Sequence, residues 1–281
     1  MIAPLTLRLE KNGVQYAGFG SRFRIVSEEF IYGDSFSEDD METCLHLLLS
    51  RVGQINFKFL SDAGLLYKVL KSSFPFSEWG NEINVMVKLK PTYDEYIASL
   101  SKNMRQNIRT AYNRLKSDGR DYRFEIYRGA DMPSNLYRQF LKLYSVNYRC
   151  RWNPSHSWWR KALSPLRVKY LHPNAMAMNC IKESLCAVLF IDGKMAAVVG
   201  GYLQKNNEYL LVPRLVFDER FSCYSPGIIC CLECIKHLIL QGVPLLDLPK
   251  GDEKYKFSLG GEVYWQYGGI ASNASTKANL G

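Results

Sequence analysis

LVFDERFSCYSPGIICCLECIKHLILQGVPLLDLPKGDEKYK, residues 215 to 256, reads as a strand, a turn, a helix, a second strand and a charged loop. Leu215, Val216 and Phe217 close a run rich in β-branched and apolar residues. Ser225-Pro226-Gly227 opens an apolar segment, Ile228 to Leu240, long enough for about three to four helical turns. Proline just inside a helix start costs nothing, because the first N–H groups have no intrahelical partner. Gly242 supplies the stop. Val243 to Leu248 has the pattern of a short buried strand around Asp247, and Lys250 to Lys254 reads as a polar loop.

A small-residue turn at a helix start leaves backbone N–H groups at the positive end of the helix dipole, where an anion such as a pyrophosphate fits. Gly227 lets a ligand approach the backbone closely. The competing reading is a well-made helix start that holds nothing.

The order YSPG, apolar helix, DLPKGDEKYK resembles the end of the acyl-CoA N-acyltransferase fold of the GNAT superfamily. It is most similar to the branch named for cellulose-biosynthesis acetyltransferases (CelD/BcsL-like), a cousin of the FemAB aminoacyl transferases. The upstream element Leu100-Ser101-Lys102-Asn103-Met104-Arg105-Gln106-Asn107-Ile108-Arg109 resembles the same branch. Pro249 departs from the glycine usual in the family's loop. The resemblance spans roughly residues 80 to 268 and implies an α/β class with a mixed α+β sheet of the GNAT fold; the two halves of the chain each mix strands and helices, which reads as two GNAT-like lobes. The expected division is an N-terminal lobe over 1–125, a catalytic lobe over 126–270 and a tail over 271–281.

It also implies an acyl-CoA donor, acetyl-CoA being the simplest, with no metal, and an amine acceptor such as a small molecule or glycan precursor. An amino sugar of envelope polysaccharide synthesis fits that description. The implied donor-binding residues are the Leu215, Val216 and Phe217 backbone for thioester and oxyanion, and the Ser225, Gly227 and Ile228 backbone for pyrophosphate. Lys256 would bind a phosphate or pair with Asp247. Candidate bases are Asp247 and Glu253; candidate acids are Tyr255 and Tyr224. Each carboxylate has a rival structural role, Asp247 as a holder of its loop.

Composition bounds the remainder. The 281 residues are 47% hydrophobic and 22% charged, ordinary for a globular protein with one large or two smaller cores. No run of 18 apolar residues is present, so no transmembrane segment is expected. The opening MIAPLTLRLEKNG lacks the basic and apolar regions of a signal peptide. Eight cysteines without framework spacing fit a reducing cytoplasm. The formal charge of +9 suits an acidic partner, CoA phosphates, anionic lipid or nucleic acid among them, or is simply a solubilising surface.

Strands are expected within residues 4 to 27 about an Asn12-Gly13 turn, over Ile55–Leu60, Glu82–Lys90 and Tyr122–Arg128, and last near Glu262–Tyr267. Asp192-Gly193 joins the clearest hairpin, Leu185–Ile191 with Lys194–Tyr202, and Lys205-Asn206-Asn207 turns into a third strand, Glu208–Phe217. Helices are expected from Ser37 to Gly53, over Ala63–Leu70, after Pro91 to Gly119 as one long region, and after Ser134. Leu100, Met104, Ile108, Ala111 and Leu115 share one face of the long region. Lys102, Arg105, Arg109 and Lys116 share another, as a solvated surface or an anion contact without stacking aromatics. Tyr148, Trp152, Trp158 and Trp159 make an aromatic run around His156, read either as a packed loop or as an acceptor wall.

Cys230, Cys231, Cys234 and His237 fall on one apolar helix and cannot surround a tetrahedral ion from a single straight axis, so buried thiols are expected. Phosphate-loop and dinucleotide fingerprints are absent. Two alternatives to the acyl-CoA enzyme stay open. One is a FemAB-like transferase drawing on aminoacyl-tRNA, though no long heptad run for a coiled-coil arm is present. The other is a degenerate binding protein of the same fold.

Overall fold

The structure is a computed structural model that describes residues 7–11, 14–18, 36–62, 64–151, 184–204 and 209–273. The chain divides into two compact units, Met1–Asn84 with Val263–Gly281, and Val85–Glu262.

In the first unit, β1 (Leu7–Lys11) pairs antiparallel with β2 (Val14–Gly18), and β2 pairs parallel with β3 (Gln54–Ser61). The last strand of the chain, β10 (Gly261–Ser272), lies antiparallel to β3, from Gln266 opposite Ser61 to Ser272 opposite Gln54. Helix α1 (Glu38–Val52) starts as the sequence dictates. Ser37 Oγ accepts the Asp40 N–H at 3.2 Å, and Asp40 Oδ2 accepts the Ser37 N–H at 3.0 Å, a reciprocal cap. Met41, Leu45 and Leu49 of α1 pack with Ile55, Phe57 and Leu60 of β3 and with Leu66, Val69 and Leu70 of α2 (Leu65–Ser73).

The second unit holds a mixed sheet. The final residues of β4 (Phe76–Lys88) pair antiparallel with β9 (Leu245–Leu248), and β9 runs parallel to β8 (Tyr209–Phe217). From β8 the sheet continues antiparallel through β7 (Lys194–Gln204), β6 (Ser184–Ile191) and β5 (Tyr122–Arg128). Asp192 and Gly193 take φ of 49° and 72°, the left-handed pair that a two-residue hairpin of this twist requires.

One face of this sheet carries α3 (Tyr93–Ser99), α4 (Lys102–Ser117) and α6 (Pro226–Leu240); the other carries α5 (Ser134–Arg151). Helix α7 (Lys254–Ser258) occupies part of the segment read as a charged loop. All five apolar residues from Leu100 to Leu115 are buried in the α4–α6 core. The single long helix expected after Pro91 is instead two. Thr92 caps α3, and Ser101 Oγ accepts the Met104 N–H at 3.2 Å to start α4 afresh. Arg105, counted on a free basic face, turns back and donates to the Ala98 carbonyl at 2.8 Å.

The compact units divide elsewhere than at the expected residue 125. Val85 and Val87 of β4, Tyr96 of α3 and Met104 of α4 share one core with β6–β9 and α6, so the second unit begins forty residues earlier. The Asn12-Gly13 and Lys205–Asn207 turns, the tryptophan run from Trp152 to Trp159 and the tail beyond Asn273 lie outside the described residues.

Candidate active site

The site is made by a strand pair that stops pairing. Strands β8 and β9 run parallel through Tyr209–Leu245, Leu210–Leu246 and Leu211–Asp247, and no further. On its other edge β8 stays bound to β7 as far as Phe217. Between Leu211 opposite Tyr202 and Arg214 opposite Gly200, Val212 and Pro213 face the single residue Gly201. That extra residue is a β-bulge, which bends the strand. A Cβ at Gly201 would collide with the Leu211 carbonyl oxygen, so glycine is what lets the two strands close up there. Pro213 has no N–H to offer a ladder, and β8 parts from β9 here.

The freed edge of β8 presents the main chain of Leu215 and Phe217. The Asp218 N–H donates back across the sheet to Ala196 at 2.8 Å, which fixes the alternation and turns both residues' polar groups away from β7. Those of Phe217 are engaged: its N–H donates to Asn147 Oδ1 at 3.2 Å, and its carbonyl accepts from Asn147 Nδ2 at 2.8 Å. Asn147 stands on α5, 8% exposed, and closes the far end of the edge like one residue of a missing strand. Leu215 N–H and carbonyl have no hydrogen-bond partner among the described residues. A cavity of about 960 Å³ opens beside Asn147 and Phe217, flanked by Lys142 of α5 and Lys194 of β7.

Helix α6 starts beyond this edge. Ser225 precedes it with φ 51° and ψ 51°, a left-handed conformation unusual for a residue other than glycine. Pro226 has no N–H; the Ile228 and Ile229 amides both donate to the Ser225 carbonyl, at 3.0 and 3.1 Å. Of the amides expected to form an anion cradle, Gly227 alone has no hydrogen-bond partner among the described residues. A Cβ at Gly227 would meet Phe217 Cδ1 at 3.5 Å and Leu215 at 3.9 Å, ordinary contact that faces β8.

The remaining candidates are distributed unevenly. Asp247, 5% exposed, sits at the last paired position of β8 and β9, the apex of the notch. Its strand neighbours Leu246 and Leu248 face the α4–α6 core, so alternation turns Asp247 toward the α5 face. Lys256 is 2% exposed, and its ammonium donates to the carbonyls of Pro249, Lys250 and Gly251 at 3.2, 3.1 and 2.9 Å. It also pairs with Glu253 at 2.9 Å, so lysine and glutamate are spent on holding the 249–251 loop, and Asp247 is not the partner. The Tyr224 hydroxyl donates to Asp118 at 2.8 Å and accepts from Arg120 at 3.2 Å, on the α4 side. The hydrogen bond to Asp118 raises its pKa. Tyr255 is partly buried against the α4–α6 core. Cys230, Cys231 and Cys234 are buried in α6; burial pushes the Cys231 thiol up to about 12, and the Cys230 thiol donates to the Ala187 carbonyl.

Sequence reasoning missed Asn147 and Gly201. Gly200-Gly201 inside an apolar strand and Pro213 inside the next were the legible signals of a bulge; nothing local marks Asn147.

A mixed sheet notched between two parallel strands, with a helix start past the notch, is the GNAT fold, here in a chain of two lobes. The family model described as acetyltransferase (GNAT) domain matches residues 102–257, and the chain belongs to that family. The match lies wholly within the second unit. Among solved structures the chain is similar to FemX, with TM-score 0.60, 9% identity, and coverage of 95% of this chain and 82% of that one. It is similar to the C-terminal domain of a putative lysylphosphatidylglycerol synthetase from Agrobacterium fabrum, with TM-score 0.56, 11% identity, and coverage of 96% and 81%. A conserved protein of unknown function from Bacteroides thetaiotaomicron gives TM-score 0.54, 15% identity, and coverage of 83% and 75%. At these identities the likeness is one of fold. No curated protein matches the sequence.

Proposed function

We propose that the chain is an acyl-CoA-dependent N-acyltransferase, moving an acyl group, acetyl in the simplest case, to an amine. The observation that carries this reading is the edge of β8 beyond Leu211, unpaired by β9 and with the Leu215 main chain open. A strand edge of that kind pairs with an extended amide-bearing arm, and its N–H polarises a thioester carbonyl as negative charge develops there. The Gly227 amide, at the positive end of α6, takes the pyrophosphate. These groups fit an acyl-CoA, and the family's chemistry needs little more.

The amine nitrogen bonds to the thioester carbonyl carbon, the carbon–sulfur bond breaks, and the amine proton leaves to a base. Asp247, at the apex, takes that proton, directly or through a water. The leaving thiolate takes a proton from a tyrosine hydroxyl, Tyr255 or Tyr224 being the candidates. The resemblance to the cellulose-biosynthesis branch extends the acceptor to an amino sugar of envelope polysaccharide. Cys44, Cys186, Cys223, Cys230, Cys231 and Cys234 are free thiols, which supports a reducing compartment, the cytoplasm, as the setting. Among the described residues no helix is long and apolar enough to cross a membrane.

Calorimetry of the whole chain with CoA and acetyl-CoA tests the reading. Binding in the micromolar range is expected; no heat at millimolar acetyl-CoA overturns it.

A second reading keeps the notch and changes the donor to aminoacyl-tRNA. Likeness in fold to FemX over 95% of the chain and the charge of +9 support it. RNA that copurifies and is released steeply by salt would favour this donor over acyl-CoA.

A further inference from the structure

Arg214 occupies the first position of β8 after the bulge, and among the described residues it has no counter-ion. Its Nε is buried and has no hydrogen-bond partner, and among the described residues the guanidinium forms no ion pair. Nη1 donates only to the carbonyl of its own neighbour, Pro213, at 2.6 Å. Among the described residues that leaves the Nε–Nη2 edge, the side of the fork that grips a carboxylate or phosphate with two parallel hydrogen bonds, without an acceptor. Buried donors are nearly always satisfied, and one that is not calls for an explanation.

The surroundings are those of a small binding wall. The guanidinium carbon lies 5.3 Å from the centre of the Tyr144 ring of α5. Tyr202 of β7 is close enough to feel its charge. The cross-strand partner of Arg214 is Gly200, which contributes no side chain where neighbouring pairs would fill the space. Arg214 as a residue keeps some exposure, so the fork has a path to solvent. Val216, two residues on, faces the α5 core, which puts Arg214 on the α5 face of the sheet, as Asp247 is. Leu215 between them turns to the α4–α6 core.

We infer that Arg214 receives an anionic group, a carboxylate or a phosphate, of the molecule that is acylated, and so selects amines that carry one. The inference deepens the transferase reading: that reading says what the bound molecule undergoes, while the anion site itself stands on Arg214 alone. The acceptor then lies on the α5 face, with its charged end on Arg214 and its amine directed to the side of the sheet that Asp247 faces.

The test uses the whole chain and three probes at matched ionic strength: inorganic phosphate, acetate and neutral acetamide. Thermal unfolding should rise saturably with phosphate or with acetate, and not with acetamide; which anion acts tells the two sources apart. In Arg214→Met the dissociation constant for that anion should weaken at least about tenfold, the loss of hydrogen bonds to a charged group. The variant itself should unfold at no lower temperature than the parent, because a half-buried guanidinium whose Nε has no acceptor has been replaced by an apolar chain of similar length. Arg214→Lys, which keeps the charge and removes the planar fork, should lose the same anion if Arg214→Met fails to fold. Equal anion responses in the parent and in whichever variant folds, or none in the parent, overturn the inference. Calorimetry with acetyl-CoA separates the two claims: parent and variant should bind it alike. Failure of the parent to bind acetyl-CoA removes the transferase reading and leaves the anion result to stand or fall by itself.

Discussion

Lys256 shows how a charged residue can mislead at the scale of one side chain. From sequence it is a cation beside a candidate anion site. In the fold its head is inside, satisfied by three backbone carbonyls and Glu253. Lys250 and Gly251 in the loop it holds take φ of 60° and 104°, conformations that need support. Lys256→Ala should lower stability by about 3 kcal/mol, because the carbonyls and Glu253 lose their shared donor. Denaturant titration of the purified variant checks this; a change below about 1 kcal/mol would mean that the loop holds itself.

His237 offers a second test at this scale. It lies in the last turn of α6, where the helix dipole favours a charged imidazole. Burial, and then the charge of Arg128, act the other way and hold its pKa below the ordinary 6.5; Nε2 is buried without a partner. The unfolded chain therefore binds a proton that the folded one refuses as pH falls below 6.5. The stability contributed by the neutral ring is present above 6.5 and lost below it. Wild type should lose more stability than His237→Gln between about pH 7.5 and pH 5.5 in urea titrations. Parallel pH profiles for the two would contradict the burial of the ring.

At the scale of elements, the notch depends on one glycine and one asparagine on different elements. Gly201→Ala drives a methyl group into the Leu211 carbonyl and should cost about 3 kcal/mol, the range of overpacked cores. Asn147→Ala removes two hydrogen bonds to the Phe217 main chain and should cost about 2 kcal/mol. The two changes should differ in their effect on acetyl-CoA. Loss of the bulge should abolish binding, whereas loss of the asparagine opens more of the β8 edge and should leave binding intact; calorimetry on each variant decides. Most elements were legible because their signals are local: the Ser37 cap, the Asp192-Gly193 turn and the Ser225-Pro226-Gly227 start each specify themselves. The break of the long helix at Ser101 was also local, since Ser101 is a capping residue, but the continuous apolar face from Leu100 to Leu115 concealed it. Asn147 was not legible. Its role comes from a strand seventy residues away, and no spacing rule reaches that far.

At the scale of the whole molecule, a bound donor should stabilise the second unit, where the matched family region lies. With acetyl-CoA at a hundred times its dissociation constant the gain is about 2.7 kcal/mol, read as a higher midpoint in a thermal melt. An unchanged midpoint at that saturation would mean that the site does not belong to the folded state. The expected boundary at residue 125 was placed by the rhythm of strands and helices, which repeats in both halves. The core follows contact instead, and Val85, Tyr96 and Met104 pack with strands more than eighty residues downstream.

The placement of β10 has a consequence for synthesis. Its residues 266–272 complete the first unit beside β3, yet they emerge from the ribosome more than two hundred residues after β3. Until then one flank of β3 is a bare edge, open to pairing with any passing strand. The second unit, whose residues have all been made by Glu262, can be finished first, so maturation runs against the usual amino-to-carboxyl order. A chain stalled or clipped just before β10 would keep the unit that carries the GNAT domain and bear an adhesive flap in place of the other.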